Sequence, residues 1–581
     1  MYENNESLSL QKGVWYGSDS DRLLQSMDYY VSQLGQNNAL LLENVRKMME
    51  ASERANRKKR KCKTNEIVSI TENGEIIFVR MYDDGSREAF PFIVNLTGEP
   101  VFYRAKFKGY TLPDDYSAVY FRCQNIWIFQ KEKSISAGKL FHNFILSGVR
   151  FGSEIPESTI KRLLFSSFGV RMKNAENQIE IPALAGWYDG KFWSRESIPS
   201  EFKGDMPSLP IMEKSFLHFQ MDGNLWECYF REMRQIAHWE DRLIVMLYPV
   251  AALMSSLLKE NHLPLDIGVN FVLMEKFSVK KICYWFQIFN RDHYKYLRGL
   301  TCNALQKEVS VHKDDIVIYD METYPSDSYY QRSEPLKRFM TLFRYLEEGT
   351  LLAGLAGISN NIVLHSNIVN LFLDENFCNE AISVTDNDVV GVFLSAFVEY
   401  AEQNIRMVSQ KVKGSPGCGN TGIFQVVLEI LNEFWKTEGI DFRKAADLPN
   451  NIDFDELFRK KQFLPDDLLE HFRLKMRKSA PEQFFEKKNN ANNKNSILYD
   501  ADYLWIPTGL FFEILQLQGM AVYKAQILLQ LREAGKLETD GHGMSKRVQC
   551  SGVSEEYYKI ERSFFNAFDI ADIVDLGKEN G

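Results

Sequence analysis

The chain has 581 residues, too many for a single hydrophobic core, so three or four domains are expected. A hydrophobic share of 45% with 25% charged residues excludes a disordered or fibrous chain and fits an ordinary globular one. The net charge of −9 excludes a protein that coats nucleic acid along its whole length. Local basic patches remain open, because screening acts over about 10 Å.

Cysteines occur at 62, 123, 228, 283, 302, 378, 418 and 550, and none are spaced as CxxC. That pattern gives neither a zinc ribbon nor a redox motif. No signal peptide opens the sequence, so reduced thiols and a cytoplasmic location are expected. No run of about 20 uninterrupted apolar residues is present, and no membrane partner is expected.

Residues 1–63 read as a helical N-terminal segment. Leu23, Met27, Tyr30 and Leu34 share one helical face, continued by Leu41, Val45 and Met48 after a Gly/Asn break. The second helix runs into Arg57, Lys58, Lys59, Arg60 and Lys61. Such a run grips a phosphate backbone or is a solvated helix end whose cations suit the dipole. Residues 64–135 then change character. Short runs of β-formers, separated by turns such as Glu72-Asn73-Gly74 and Asp83-Asp84-Gly85, predict a small antiparallel sheet or barrel. Its aromatics, among them Phe78, Phe92, Tyr103, Tyr120 and Trp127, read mainly as core, and on an exposed face they would stack bases. Residues 136–221 form a lead-in. Its Gly186-Trp187-Tyr188-Asp189-Gly190-Lys191-Phe192 reads as a hairpin with a packed indole.

Residues 222–478 read as an α/β core with a partly parallel sheet. Two helices (225–237 and 239–258) precede an apolar strand, Val269 to Met274. A charged loop follows, and a helix starts near Lys281. Strand, loop, lysine, helix is the layout of a nucleotide-phosphate loop. Laid on GxxxxGK[ST], however, Met274 to Lys281 keeps only Lys280. Met274 and Val279 stand where glycines would let backbone N–H groups close around phosphate oxygens, and Lys281 stands in place of the magnesium-binding hydroxyl. The stretch is either a degenerate phosphate loop or an ordinary strand–helix connection, and neither reading predicts hydrolysis.

Ile316 to Asp320 reads as a second strand ending in an acid, with Glu322 one residue late for an adjacent acid pair. Asp320 would sit at a strand's carboxyl end, where α/β sheets bind ligands, or simply at an exposed turn. Asn361 to Asn367 reads as a third strand, with Ser366 and Asn367 in the place of a polar γ-phosphate sensor. Lys280, Asp320, Glu322 and Asn367 are thus the catalytic candidates. Gly414 to Thr421 has better glycine spacing but Asn420 in the lysine position, and it reads as an interhelix turn. There is no HExxH, no zinc-spaced Cys/His cluster and no GxSxG.

Residues 479–497 read as a polar linker. Residues 498–581 read as a winged-helix-like module: two helices, then a hairpin over 538–551 with its tip at Asp540-Gly541-His542-Gly543. Lys524, Arg532, Lys536, Lys546 and Arg547 would meet phosphates there, although such modules also dock proteins.

Ile145 to Phe168, followed by Gly186 to Phe192, resembles the lead-in of a family of helicase-like P-loop ATPases of phages and mobile elements, catalogued mainly as a domain of unknown function. The resemblance spans about residues 145–475. In that family a short helical segment, a Gly-Trp turn and a strand precede the ATPase core, and a small module closes the chain. The resemblance implies a multidomain α/β protein: N-terminal helices and a small β domain, a central P-loop-like core with a degenerate loop, and a C-terminal winged-helix-like module. The expected role is a catalytically degenerate, DNA-binding or assembly component without a cofactor, working as a homo-oligomer or beside an active ATPase. The alternatives are an active ATPase taking ATP and Mg at Lys280 and Asp320, and a protein-interaction scaffold.

Overall fold

A computed structural model of the chain describes residues 45–52, 63–216, 225–273, 279–321, 329–348, 352–373, 388–414, 419–479, 484–486, 497–517, 519–539, 543–550 and 553–565. The basic run Arg57 to Lys61, the stretch 274–278 and Glu322 lie outside the described residues. The chain is a mixed α/β protein in two compact units. One takes residues 1–104, 116–178 and 203–206; the other takes 105–115, 179–202 and 207–581. The chain passes between them at 104–116 and again between 178 and 207.

In the first unit, β1 (Lys63–Ile70), β2 (Glu75–Tyr82) and β3 (Arg87–Thr97) form an antiparallel sheet in that order. The expected turns close it, with Gly74 and Gly85 at φ 80° and 76°. β4 (Pro100–Lys108) begins in this unit, and β5 (Tyr116–Phe121) and β6 (Ile126–Lys131) form an antiparallel hairpin. Helices α1 (Ala137–Leu146) and α2 (Glu157–Leu164) close a core of Phe78, Phe92, Phe121, Phe144 and Phe168. Of the aromatics expected there, Phe78 and Phe92 are core, while Tyr103, Tyr120 and Trp127 are half-buried. Tyr120 and Trp127 stack half-buried, 4.3 Å between ring centroids.

After β7 (Asn177–Pro182), the second unit opens on the hairpin β8 (Gly186–Tyr188) and β9 (Lys191–Trp193). Asp189 and Gly190, at φ 51° and 78°, form its two-residue turn. Trp187 is 1% exposed and donates its indole N–H to the Leu253 carbonyl at 3.0 Å. Past β10 (Phe202–Gly204) come α3 (Leu225–Met233), α4 (Trp239–Leu253) and α5 (Ser255–Glu260).

The centre of this unit is a four-stranded parallel sheet: β11 (Gly268–Leu273), β12 (Lys313–Asp320), β13 (Leu352–Ser359) and β14 (Ile368–Leu373). The spatial order is β12-β13-β11-β14. Helix α6 (Val279–Phe286) follows β11 and packs Phe286 edge-on to Phe271 at 4.8 Å. Helices α7 (Cys302–Val309) and α8 (Tyr329–Glu347) flank β12 in sequence.

The expected strand at 361–367 is corrected: the strand is β13, just before it. Residues 360–367 instead carry the chain from the carboxyl end of β13 past β11 to the amino end of β14. Parallel strands usually need a connection of about a dozen residues, most often a helix. Here side chains replace the helix. Asn270 and Asn370, in register on β11 and β14, are fully buried and bonded to each other at 2.8 Å. Asn270 also donates to the Asn361 carbonyl at 2.9 Å, and Asn370 accepts the Val363 N–H at 2.7 Å and donates to the Val363 carbonyl at 3.0 Å.

Helices α9 (Val389–Gln403), α10 (Ile405–Gly414), α11 (Gly419–Thr437), α12 (Phe454–Lys461) and α13 (Leu468–Ser479) follow. The expected linker is partly strand: β15 (Phe484–Glu486) pairs in parallel with β16 (Ile497–Tyr499). Then come β17 (Tyr503–Pro507), α14 (Thr508–Leu517), α15 (Lys524–Glu533), β18 (Leu537–Glu538), β19 (Lys546–Cys550) and β20 (Val553–Glu561). The hairpin joins β19 to β20, not two strands across 540–543, and β20 also pairs with β17 and β18. This C-terminal part shares a core with the parallel sheet. Val272 and Ile362 pack in one cluster with Phe472, Phe511, Met520 and Ile527.

Candidate functional site

The carboxyl edge of a parallel sheet is where α/β proteins take ligands, at the point where neighbouring strands send their connections opposite ways. Here that point is β11 beside β13. The chain after β11 continues into α6, on the side of Phe271. The chain after β13 crosses on the side of Asn270. Lys280 stands exposed in the first turn of α6, after the end of β11. Asp320 ends β12 at the same edge. The alternative of Asp320 at an exposed turn is corrected, because the residue is buried at the end of its strand.

Their surroundings do not suit a magnesium nucleotide. Asp320 is 2% exposed, and its Oδ2 lies 3.4 Å from an Arg298 guanidinium nitrogen. Its charge also faces Cys283 of α6; burial first, then Asp320, pushes that thiol up to about 12. An acid turned toward a guanidinium inside the protein is a poor magnesium ligand, since the ion requires near-octahedral oxygen donors and retained waters. Among the described residues no group of three or more His, Cys, Asp or Glu side chains could hold a metal ion.

Asn367 is at the other edge. Its carbonyl accepts the Gly268 N–H at 2.9 Å, at the amino end of β11. The sheet therefore keeps it apart from Lys280 and Asp320. With Ser366 it lines a cavity of about 320 Å³ shared with Asn420, Thr421, Asp455 and Arg459. The glycine-spaced loop before Thr421 lies between α10 and α11, so no strand aims it, as its sequence context predicts.

The densest polar chemistry was not anticipated. Asp315 of β12 is buried, and its Oδ2 accepts Lys214 Nζ at 2.7 Å and meets His312 Nδ1 at 2.8 Å. Across the ring, His312 Nε2 faces Glu308 Oε1 at 3.5 Å, and Lys295 Nζ reaches Glu308 at 2.8 Å. Burial pushes the Asp315 carboxyl up, but Lys214 and His312 outweigh it and hold the group below the usual carboxylate range. Glu308 is held down at about 2, chiefly by His312, against burial and with help from Lys295. These residues line a cavity of only about 30 Å³. That is room for about one water, not for a substrate. The cluster bolts the segment before α3, residues 287–297 and α7 onto the edge strand β12.

One residue earlier, Asp314 sits fully buried at φ 51°. It accepts from Ser256 Oγ at 2.6 Å, Ser256 N at 2.7 Å, Ser255 Oγ at 3.1 Å and Trp187 N at 2.8 Å. This locks the Gly-Trp hairpin to β12. The only local signal for either feature was the run His312-Lys313-Asp314-Asp315.

The C-terminal cations mostly have internal partners. Lys524 is half-buried over the rings of Phe512 and Tyr558, at 5.7 and 5.4 Å, and burial lowers its pKa. Lys536 pairs with Glu561 at 2.7 Å, Lys546 with Glu538 at 2.5 Å and Arg547 with Glu556 at 3.3 Å. Arg532 is exposed. The turn before α15 is tied to the 360–367 connection: Gly519 O accepts Ile362 N at 2.7 Å, and Tyr523 OH donates to Ile362 O at 2.8 Å.

A scan against protein-family models finds no match to this chain, and a search of curated proteins finds none either. Among the described residues no helix is long and apolar enough to cross a membrane.

Proposed function

We propose that the chain is a catalytically degenerate ATPase-like protein, acting as a nucleic-acid-binding or assembly component in DNA replication, transfer or defence. The observation that supports it best is the strand order β14-β11-β13-β12. The strand that leads to Lys280 lies inside the sheet between parallel neighbours, and the acid-tipped strand is one place removed, across β13. That arrangement suits a phosphate-binding scaffold, while the Asp320–Arg298 pair and the lost glycines argue against turnover. The resemblance of residues 145–192 to the lead-in of mobile-element ATPases supplies the biological setting. We read the closing module as winged-helix-like, with docking onto its own core favoured over DNA reading, because its cations are held by Glu538, Glu556 and Glu561.

The test is phosphate release from magnesium ATP, with and without single-stranded DNA, beside salt-dependent DNA retention. Retention without release supports the reading. DNA-stimulated release lost in Lys280→Ala would replace it with an active ATPase.

A further inference from the structure

The predicted phosphate-contacting cations lie outside the described residues or, apart from the exposed Arg532, have acid or ring partners, and a second segment combines cations with exposed rings. One segment stands out. From 292 to 296 every residue is exposed, in the sequence Asp-His-Tyr-Lys-Tyr, followed by Leu297 and Arg298. Tyr294 and Tyr296 are 40% and 41% exposed, unusual for two large rings so close in sequence.

The segment is held rigidly from beneath. Leu297 pairs with the edge of β12: its N–H donates to Ile318 O at 2.8 Å, and its carbonyl accepts Asp320 N at 2.8 Å. With Leu297 turned inward, Tyr296 and Arg298 lie on the alternate side, about 6.6 Å apart along an extended chain, and the Arg298 guanidinium, 37% exposed, turns back toward Asp320. The Gln287 amide donates to the carbonyls of Asn290 and His293 at 2.6 and 2.7 Å, and its oxygen accepts Lys295 N at 2.9 Å. Arg291 is clamped to Asp388, with one bond at 2.7 Å. Order already imposed on a loop need not be imposed on binding, which favours affinity.

The cations of the segment stay exposed although each has an acid beside it. Lys295 and Arg298 keep 54% and 37% of their side chains exposed despite their contacts with Glu308 and Asp320, and His293 is 87% exposed beside Asp292. Rings interleaved with cations suit a strand whose bases have free faces and whose phosphates run alongside; a duplex keeps those faces stacked inside.

We propose that residues 293–298 form a grip for single-stranded nucleic acid, with Tyr294 and Tyr296 stacking bases and Lys295 and Arg298 meeting phosphates. This rests on the nucleic-acid-binding reading above and gives it a site. The experiment is fluorescence anisotropy of the full chain with a labelled oligothymidylate and with a duplex of equal length. The proteins are wild type, Tyr294→Ala/Tyr296→Ala and Tyr294→Phe/Tyr296→Phe, each checked for an unchanged melting curve. Loss of two stacked bases should weaken single-strand binding by about 25-fold or more, and the phenylalanine pair should stay within about threefold of wild type. If wild type binds and the alanine pair binds within twofold of it, the grip is wrong while nucleic-acid binding stands. Equal losses in both pairs would also overturn it, because the hydroxyls and not the ring faces would then be responsible, as at a protein contact. If wild type binds no single strand, the nucleic-acid reading falls and the grip with it.

Discussion

Asp315→Ala removes a carboxylate that both Lys214 and His312 meet inside the second unit. Asp315 and Lys214 are 4% and 7% exposed, so solvent cannot replace the lost partner. Among the described residues, Lys214 Nζ would keep the His312 ring at 3.2 Å and the distant face of Phe289 at 5.8 Å. Breaking a buried pair from one side costs about 3–5 kcal/mol, most of it the stranded charge. Removing both charges is a different matter. Lys214→Met with Asp315→Leu should recover most of the loss, because the desolvation penalty disappears with the attraction. Urea denaturation followed by tryptophan fluorescence gives the cycle, read from the midpoints at unchanged slope. An Asp315→Ala midpoint within about 1 kcal/mol of wild type would refute the bolt. So would a double variant less stable than Asp315→Ala.

Gly186→Ala should destabilise by roughly 2–4 kcal/mol in the same assay, since Gly186 is at φ 130° and an added Cβ would lie 2.3 Å from Asp314 Oδ2. Glu308 should contribute stability above pH 4.5, where the unfolded carboxyl is ionised, and lose it as pH falls toward 2, the folded value. The gap between wild type and Glu308→Gln, followed by thermal melts across that window, should therefore narrow on acidification; a gap independent of pH would contradict the direction. A chain ending at residue 480 should aggregate or bind a hydrophobic dye, because Val272, Ile362 and Phe472 would lose Phe511, Met520 and Ile527. A soluble, cooperatively melting truncation would show instead that the C-terminal part is separable.

What the sequence showed and what it hid follow from where the information lies. β11 and β12 were legible because buried parallel strands read as unbroken apolar runs. β13 was hidden by Gly354 and Gly357, which look like loop residues. Their missing side chains make room for Tyr248 and Ala252 against one and for Met321 and Phe339 against the other. With β13 unseen, the following stretch reads as a strand and Asn367 as its carboxyl end. The Gly-Trp hairpin was readable because its turn chemistry is local. The Lys214–Asp315 pair was not, since its partners are 101 positions apart. The C-terminal cations were visible, but the acids that hold them lie on neighbouring strands, where only the register of β18, β19 and β20 brings them close.

The most direct measurement is an equilibrium titration of the full chain with a fluorescent ATP analogue in the presence of magnesium. A fold that keeps Lys280 and Asp320 at its carboxyl edge, but turns the acid to Arg298 and lacks the loop glycines, should show no saturable binding up to millimolar nucleotide. Saturable binding that disappears in both Lys280→Ala and Asp320→Ala would contradict it.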